Sequence, residues 1–238
     1  MVNMIIDGRK IEAEEGQTIL EVAREEGIDI PTLCYHEAVS SAGACRMCVV
    51  EAGKGGRSKI VASCLYPVED GLEVVTNSER VLDSRRTVIE LLLASCPNSE
   101  ILQEMAAGLG VESTAFKAED ENNLCILCGL CVRACDEVVG VNAISLVNRG
   151  TKREVSTPFD DASEACIGCG SCHYICPTGA VKMEDAGGVR KIDNWNVEFE
   201  LAKCKTCGNY FAPRAQLDYI KNIYGIEEDL ENCPSCSA

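Results

Sequence analysis

Residues 3–6 are mostly apolar and residues 9–12 mostly polar around Ile11, with an Asp7-Gly8 pair between them, which predicts a two-stranded hairpin at the start of the chain. The period then changes. Thr18 with Glu21 three residues later is a capping-box signature, and it opens a helix that runs through Glu26 and stops at Gly27. Three β-rich runs follow, over 47–52, 59–62 and 72–76, with the glycine-rich residues 53–56 as a hairpin loop. Strand, strand, helix and further strands in this order describe a compact β-grasp domain. From Ser78 to Leu93 the apolar residues Val81, Leu82, Val88, Ile89 and Leu92 recur near helical spacing. A shorter helix is predicted over 100–109, closed by Gly110, and the polar residues 113–123 read as a linker. Towards the C-terminus, Gly187-Gly188 marks a turn, residues 193–199 a strand and residues 214–224 a helix ending at Gly225. Trp195, the single tryptophan, is expected to pack the junction to that last segment.

Composition changes this picture in one respect. Aromatic residues make up 5% of the 238 positions, so each core is small and needs support from something other than packing. Seventeen cysteines are available. No basic region followed by an apolar run opens the chain and no stretch reaches membrane-spanning length, so the expected location is the cytoplasm, where thiols stay reduced. The odd cysteine number also points to metal rather than disulfides. The net charge of −16 makes nucleic acid and anionic membrane surfaces poor partners.

Sixteen of the seventeen cysteines fall into four quartets. Two are an internal repeat: Cys125, Cys128, Cys131 and Cys135 match Cys166, Cys169, Cys172 and Cys176 spacing for spacing. Similar tails follow, residues 140–144 in the first copy and 178–181 in the second. The pattern C-x2-C-x2-C-x3-C lets three thiolates on one loop grip a cubane while the fourth reaches the other cluster. One [4Fe–4S] cluster is therefore expected on Cys125, Cys128, Cys131 and Cys176, and a second on Cys135, Cys166, Cys169 and Cys172. Gly129, Gly168 and Gly170 allow the loop backbone close to inorganic sulfide. Pro177 completes the motif in the second copy, where the first has Asp136.

Cys34, Cys45, Cys48 and Cys64 are spaced C-x10-C-x2-C-x15-C, which suits neither a zinc ribbon nor the short plant-type loop, and a flat [2Fe–2S] rhomb is expected there, with structural zinc as the alternative. Gly43 and Ala44 leave room for that loop. Cys204, Cys207, Cys233 and Cys236 form two C-x2-C knuckles, the signature of a tetrahedral zinc ribbon, with an iron-based site as the alternative. Cys96 stands alone and is expected to be a buried thiol. His36 and His173 flank cluster cysteines, where each either hydrogen-bonds a sulfur or is a partly exposed loop residue. No Ser-His-Asp set, carboxylate pair or phosphate-binding loop is present, so no catalytic residue is assigned.

The Cys34-Tyr35-His36 start and the run Gly43-Ala44-Cys45-Arg46-Met47-Cys48-Val49-Val50-Glu51 resemble the N-terminal [2Fe–2S] domain of the large iron–sulfur subunit of complex I. With the helix Arg85-Arg86-Thr87-Val88-Ile89-Glu90-Leu91-Leu92-Leu93 and the double-cubane repeat behind it, the chain resembles the iron–sulfur subunit of multimeric NAD-linked, electron-bifurcating hydrogenases. The resemblance covers residues 1 to about 190. It departs where those families carry a one-histidine, three-cysteine cluster site, since here residues 93–100 hold Cys96 alone. What it implies is a relay with the catalytic centre on another polypeptide. The partners would be an NAD-binding flavin and iron–sulfur subunit, a small [2Fe–2S] subunit, a catalytic hydrogenase or formate dehydrogenase subunit, and ferredoxin. The equivalent subunit of an NAD-linked formate dehydrogenase or aldehyde oxidoreductase, or a free-standing polyferredoxin-like carrier, is the alternative, and the unequal cluster motifs of succinate dehydrogenase subunits do not fit.

The expectation is thus an α+β chain: a β-grasp [2Fe–2S] ferredoxin domain over 1–78, a helical linker over 79–123, a double [4Fe–4S] ferredoxin-like domain over 124–190 and a C-terminal zinc ribbon over 191–238. Its cofactors would be one [2Fe–2S], two [4Fe–4S] and one Zn2+.

Overall fold

The computed structural model describes residues 1–118, 120–226 and 230–237; residue 119 of the expected linker and residues 227–229 and 238 of the expected ribbon lie outside it. The chain forms two compact units, Met1–Cys128 and Gly129–Ala238.

Unit 1 begins with the predicted hairpin, β1 (Val2–Ile6) and β2 (Arg9–Ala13). Asp7 and Gly8 both take positive φ, 49° and 81°, the geometry that matches a two-residue turn to the strand twist. Thr18 caps α1 (Ile19–Glu25) reciprocally: its hydroxyl accepts from the Glu21 amide at 3.3 Å, and the Glu21 carboxylate accepts from the Thr18 amide at 2.7 Å. Then come β3 (Val49–Lys54), β4 (Arg57–Ala62) and β5 (Leu72–Val75). The sheet order is β2-β1-β5-β3-β4, with β1 and β5 parallel and the other pairs antiparallel. Alternate residues of the strands (Met4, Ile6, Ile11, Val50, Ala52, Leu72 and Val74) face Ile19, Leu20, Val22 and Ala23 of α1 in one buried core. This is the β-grasp arrangement that the order of elements implied. Replacing Thr18 by alanine strands the amides at the start of α1, and a loss of about 1 kcal/mol is expected. Urea unfolding of the full chain followed by circular dichroism reads it, and an unmoved midpoint would rule the capping box out as a contributor.

The helix pair is α2 (Glu79–Ser95) and α3 (Glu100–Gly108). Ser78 caps α2, accepting from the Val81 amide while its hydroxyl donates to Glu51 of β3 at 2.8 Å. Arg85, 2% exposed, donates to the Val49 carbonyl at 2.8 Å, so α2 is fixed to the strand that follows the first cysteine loop.

Unit 2 opens with α4 (Leu130–Arg133), which Gly129 enters at φ 70°. A π-helical turn continues it over Ala134–Val138. β6 (Ser145–Val147) and β7 (Glu154–Ser156) form a small hairpin, and α5 (Ser171–Tyr174) repeats α4 behind Gly170 at φ 78°. Pro177 offers no amide to extend α5; Asp136 imposes no such stop, and the first copy runs on into its π turn. β8 (Met183–Ala186), β9 (Val189–Ile192), β10 (Val197–Lys203) and β11 (Tyr210–Pro213) form an antiparallel sheet in the order β11-β10-β9-β8, followed by α6 (Arg214–Tyr224). The predicted strand over 193–199 is half right. Asp193–Trp195 is a 3-10 turn, and Asn196 at φ 51° breaks the extended chain before β10 starts. The division expected between residues 190 and 191 falls inside β9.

Candidate metal centres

The first quartet lies in the loops that join α1 to β3 and β4 to β5, beneath the helix pair. Leu33, Cys34, Cys45 and Met47 share a buried cluster with Ile89, Leu93, Cys96, Leu102 and Ala106 of the α2–α3 region. All four thiols are at most 6% exposed. They come as two pairs: the Cys45 amide donates to Cys34 Sγ at 3.4 Å, and Cys48 Sγ lies 3.4 Å from Cys64 Sγ. The S–H shared with Cys64 brings Cys48 down to about 6, and the same contact pushes Cys64 up. Two thiolate pairs fit a group with two irons, each held by one pair, and match a single tetrahedral ion less well. Ser63, fully buried beside Cys64, turns its hydroxyl to Cys48 and helps to lower that thiol. Gly43, at φ 59°, has Leu65 Cδ1 2.3 Å from where a Cβ would sit, so the two loops interlock at this point.

Unit 2 brings Cys135 to Cys166, Cys169 and Cys172. Burial raises the Cys135, Cys166 and Cys172 thiols, Cys172 to about 11, and the charge of Cys169 adds to each. Cys135 also acts on Cys166 and Cys172. Cys135, from the first copy of the repeat, thus lies close enough to the second loop for its charge to act there. The two tails behave alike: the Ala143 amide donates to Cys135 Sγ at 3.2 Å and the Ala180 amide to Cys176 Sγ at 3.3 Å. Burial raises the Cys176 thiol, but donors from Val181, Thr178 and Ala180 outweigh it and bring it below its ordinary value. Such N–H···S contacts stabilise bound thiolates and the clusters they carry.

The last quartet is tighter. The sulfurs of Cys204, Cys207, Cys233 and Cys236 all lie within 4.8 Å of one another, the one such group among the described residues. Cys207 Sγ and Cys233 Sγ are 3.8 Å apart. A Zn–S bond of about 2.3 Å gives a tetrahedral edge of about 3.8 Å. A cubane sets its four thiolates on four irons and spreads them more widely, so this geometry fits a single tetrahedral ion. The Cys233 amide donates to Cys204 Sγ at 3.3 Å.

The singled-out residues outside the quartets resolve simply. Cys96 is fully buried, ends α2 and accepts from Asn123 Nδ2 at 3.4 Å; burial pushes its thiol up to about 12. His36 Nδ1 accepts from the Ala38 amide at 3.1 Å, and His173 Nδ1 pairs with the Val181 carbonyl at 2.7 Å, so both rings serve the backbone. Trp195 packs the junction expected for it, between the dicluster residues and Ile192 and Val197 of the following segment. It is 4% exposed within the core that holds Cys131, Cys135, Cys166, Cys172 and Cys176, and its indole N–H reaches Cys172 Sγ at 3.4 Å. Twenty-three residues separate the two in sequence, and no local signal links them.

Comparison with known proteins supports the iron–sulfur domains. Residues 1–79 match the 2Fe-2S iron-sulfur cluster binding domain, and residues 117–177 and 165–212 each match a 4Fe-4S dicluster domain. Over 76% of its length the chain is 37% identical to the NADP-reducing hydrogenase subunit HndD of Solidesulfovibrio fructosivorans and 37% identical to the NADPH-Fe(3+) oxidoreductase subunit alpha of Geobacter sulfurreducens. It is 36% identical to the NADH-ubiquinone oxidoreductase 75 kDa subunit of Reclinomonas americana, again over 76% of its length. The chain spans only 36%, 24% and 29% of those relatives. A crystal structure of NAD+-reducing [NiFe]-hydrogenase in the H2-reduced state superposes with a TM-score of 0.66 at 30% identity, covering 81% of this chain and 87% of that one. No helix among the described residues is long and apolar enough to cross a membrane. With its [2Fe–2S] and dicluster domains and most of the matched hydrogenase chain covered, the protein belongs to the family of iron–sulfur subunits of NAD-linked hydrogenases, related to the N-terminal part of the large iron–sulfur subunit of complex I.

Proposed function

We propose that the chain is the electron-relay subunit of a cytoplasmic, multi-subunit, NAD(P)-linked and electron-bifurcating hydrogenase. Its partners would be a flavin-bearing NAD-binding subunit, a small [2Fe–2S] subunit, ferredoxin and a separate catalytic subunit. The observation that carries this reading is the coexistence of a paired-thiolate site and a crossed dicluster repeat in one chain that is 37% identical to an NADP-reducing hydrogenase subunit. Bound [2Fe–2S] and [4Fe–4S] groups supply one-electron oxidation and reduction. This chain's residues hold and shield them. Cys34, Cys45, Cys48 and Cys64 take the rhomb in a pocket closed to water by Met47, Ile89 and Leu102. Cys135, Cys166, Cys169 and Cys172 take one cubane, and the repeat spacing assigns Cys125, Cys128, Cys131 and Cys176 to the other. Cys204, Cys207, Cys233 and Cys236 take zinc and tie the tail to β10 and β11. Their separations favour a single ion over a cluster, although the second dicluster match reaches Cys204 and Cys207.

Anaerobic metal and acid-labile sulfide analysis tests this directly. About ten irons, about ten sulfides and one zinc per chain are expected, from one rhomb, two cubanes and one ribbon. About fourteen irons and no zinc would place a further cluster on Cys204, Cys207, Cys233 and Cys236, and zinc without sulfide would overturn the relay reading. A second reading is favoured by the equal identity to an NADPH-Fe(3+) oxidoreductase subunit: a complex whose other substrate is not hydrogen, formate and an aldehyde among the candidates. Hydrogen-dependent NAD(P) reduction by the purified complex separates the two.

A further inference from the structure

We propose that Trp195 is a potential-setting residue: its indole N–H, held against Cys172 Sγ, raises the reduction potential of the cubane on Cys135, Cys166, Cys169 and Cys172. The inference deepens the relay reading and rests on it.

The contact is built, not incidental. The indole is 4% exposed, Cys172 is 9% exposed, and Nε1 lies 3.4 Å from the sulfur. Indole offers one donor and no acceptor, and when buried it needs a partner; the sulfur is the partner it has. Ile144, Val181, Ile192 and Val197 form the apolar core around the ring. Asn196 in its left-handed conformation then turns the chain so that β10 returns across the same loop.

The hairpin that delivers Trp195 also clamps the cysteine loop at two further points. Arg190 of β9, 6% exposed and paired with Asp185 through two 2.8 Å contacts, donates to the Gly168 carbonyl at 3.0 Å. Phe199 of β10 occupies the space over Gly168, its ring 2.4 Å from where a Cβ would sit, and Gly168 itself is at φ 67°. The loop over 166–172 is therefore fixed at Gly168 and at Cys172 by one β-hairpin. Backbone amides serve the sulfurs of both copies of the repeat, at Cys135 and at Cys176. With one tryptophan in the chain, the indole has no counterpart tryptophan in the first copy, so it makes the two cubanes unequal. Reduction would add one negative charge to the thiolate-bound cluster, and a fixed N–H donor on a ligand sulfur favours the more negative state.

Trp195→Phe keeps the ring and removes the donor. In the intact anaerobic protein, EPR-monitored redox titration is expected to show one of the two cubanes shifted to lower potential by about a tenfold change in its reduction equilibrium, about 59 mV for one electron, with the other unmoved. Equal potentials in variant and native protein, at unchanged iron content, would overturn the proposal. Should the variant lose iron, native protein labelled with 15N-indole tryptophan decides, because the label reports Trp195 alone. Hyperfine coupling from that nitrogen to the reduced protein supports the contact, and its absence overturns it. Native protein short of about eight cubane irons would instead sink the relay reading beneath it.

Discussion

Removing Cys135 and Cys166 together is expected to cost the protein no more iron than removing either one alone, about four atoms per chain in Cys135→Ala, Cys166→Ala and the double variant alike. The two cysteines stand 31 positions apart in different copies of the repeat, so sequence proximity alone would assign them to separate clusters. The charges of Cys135 and Cys169 both act on Cys166 and Cys172, and burial raises all three of Cys135, Cys166 and Cys172. Buried thiols with raised values are poor thiolates until a cation compensates them, so neighbours of this kind are arranged for a shared metal group. If ligation were local instead, the double variant would lose about eight irons, twice the loss of either single change. Iron per chain with the sulfide count distinguishes these outcomes without reference to activity.

The 2Fe-2S and 4Fe-4S domains were legible in the sequence because their chemistry is local. Three thiolates on a C-x2-C-x2-C loop need no tertiary information to be recognised, and the fourth follows from a spacing rule. Helix starts at Thr18 and Ser78 were legible for the same reason, a cap and its partner being three residues apart. What the residue pattern did not reveal is all non-local. Trp195 reaches Cys172 only because β9 and β10 form a hairpin, and Arg190 reaches Gly168 across 22 positions. Asn196 broke a predicted strand because its left-handed backbone serves the placement of the neighbouring indole rather than the propensity of residues 193–199. The π turn over Ala134–Val138 sits where the second copy has its proline stop, a difference between two copies that match in every cysteine spacing.

Replacing Ile89 by alanine is expected to be among the most destabilising single changes in unit 1, by about 2–5 kcal/mol. Ile89 is fully buried on α2, in the same cluster as Met47, Leu102, Cys34 and Cys45. The cost has two parts, the transfer free energy of the lost methylenes and the cavity left between helix and loop. Collapse into that cavity is restricted, because α2 is held by Arg85 to Val49 and by Ser78 to Glu51 and cannot slide inward without losing both contacts. The loop on the other side is restrained by the paired thiols. Destabilisation should therefore be accompanied by easier loss of the [2Fe–2S] group than of the group on Cys135, Cys166 and Cys172, whose core contains no α2 residue. Urea unfolding of the holoprotein, with circular dichroism for the fold and visible absorbance for cluster loss, measures both. A loss below about 1 kcal/mol would mean that the helix pair only covers the loop. Equal lability of all the clusters would mean that the first site does not depend on α2 for its shape.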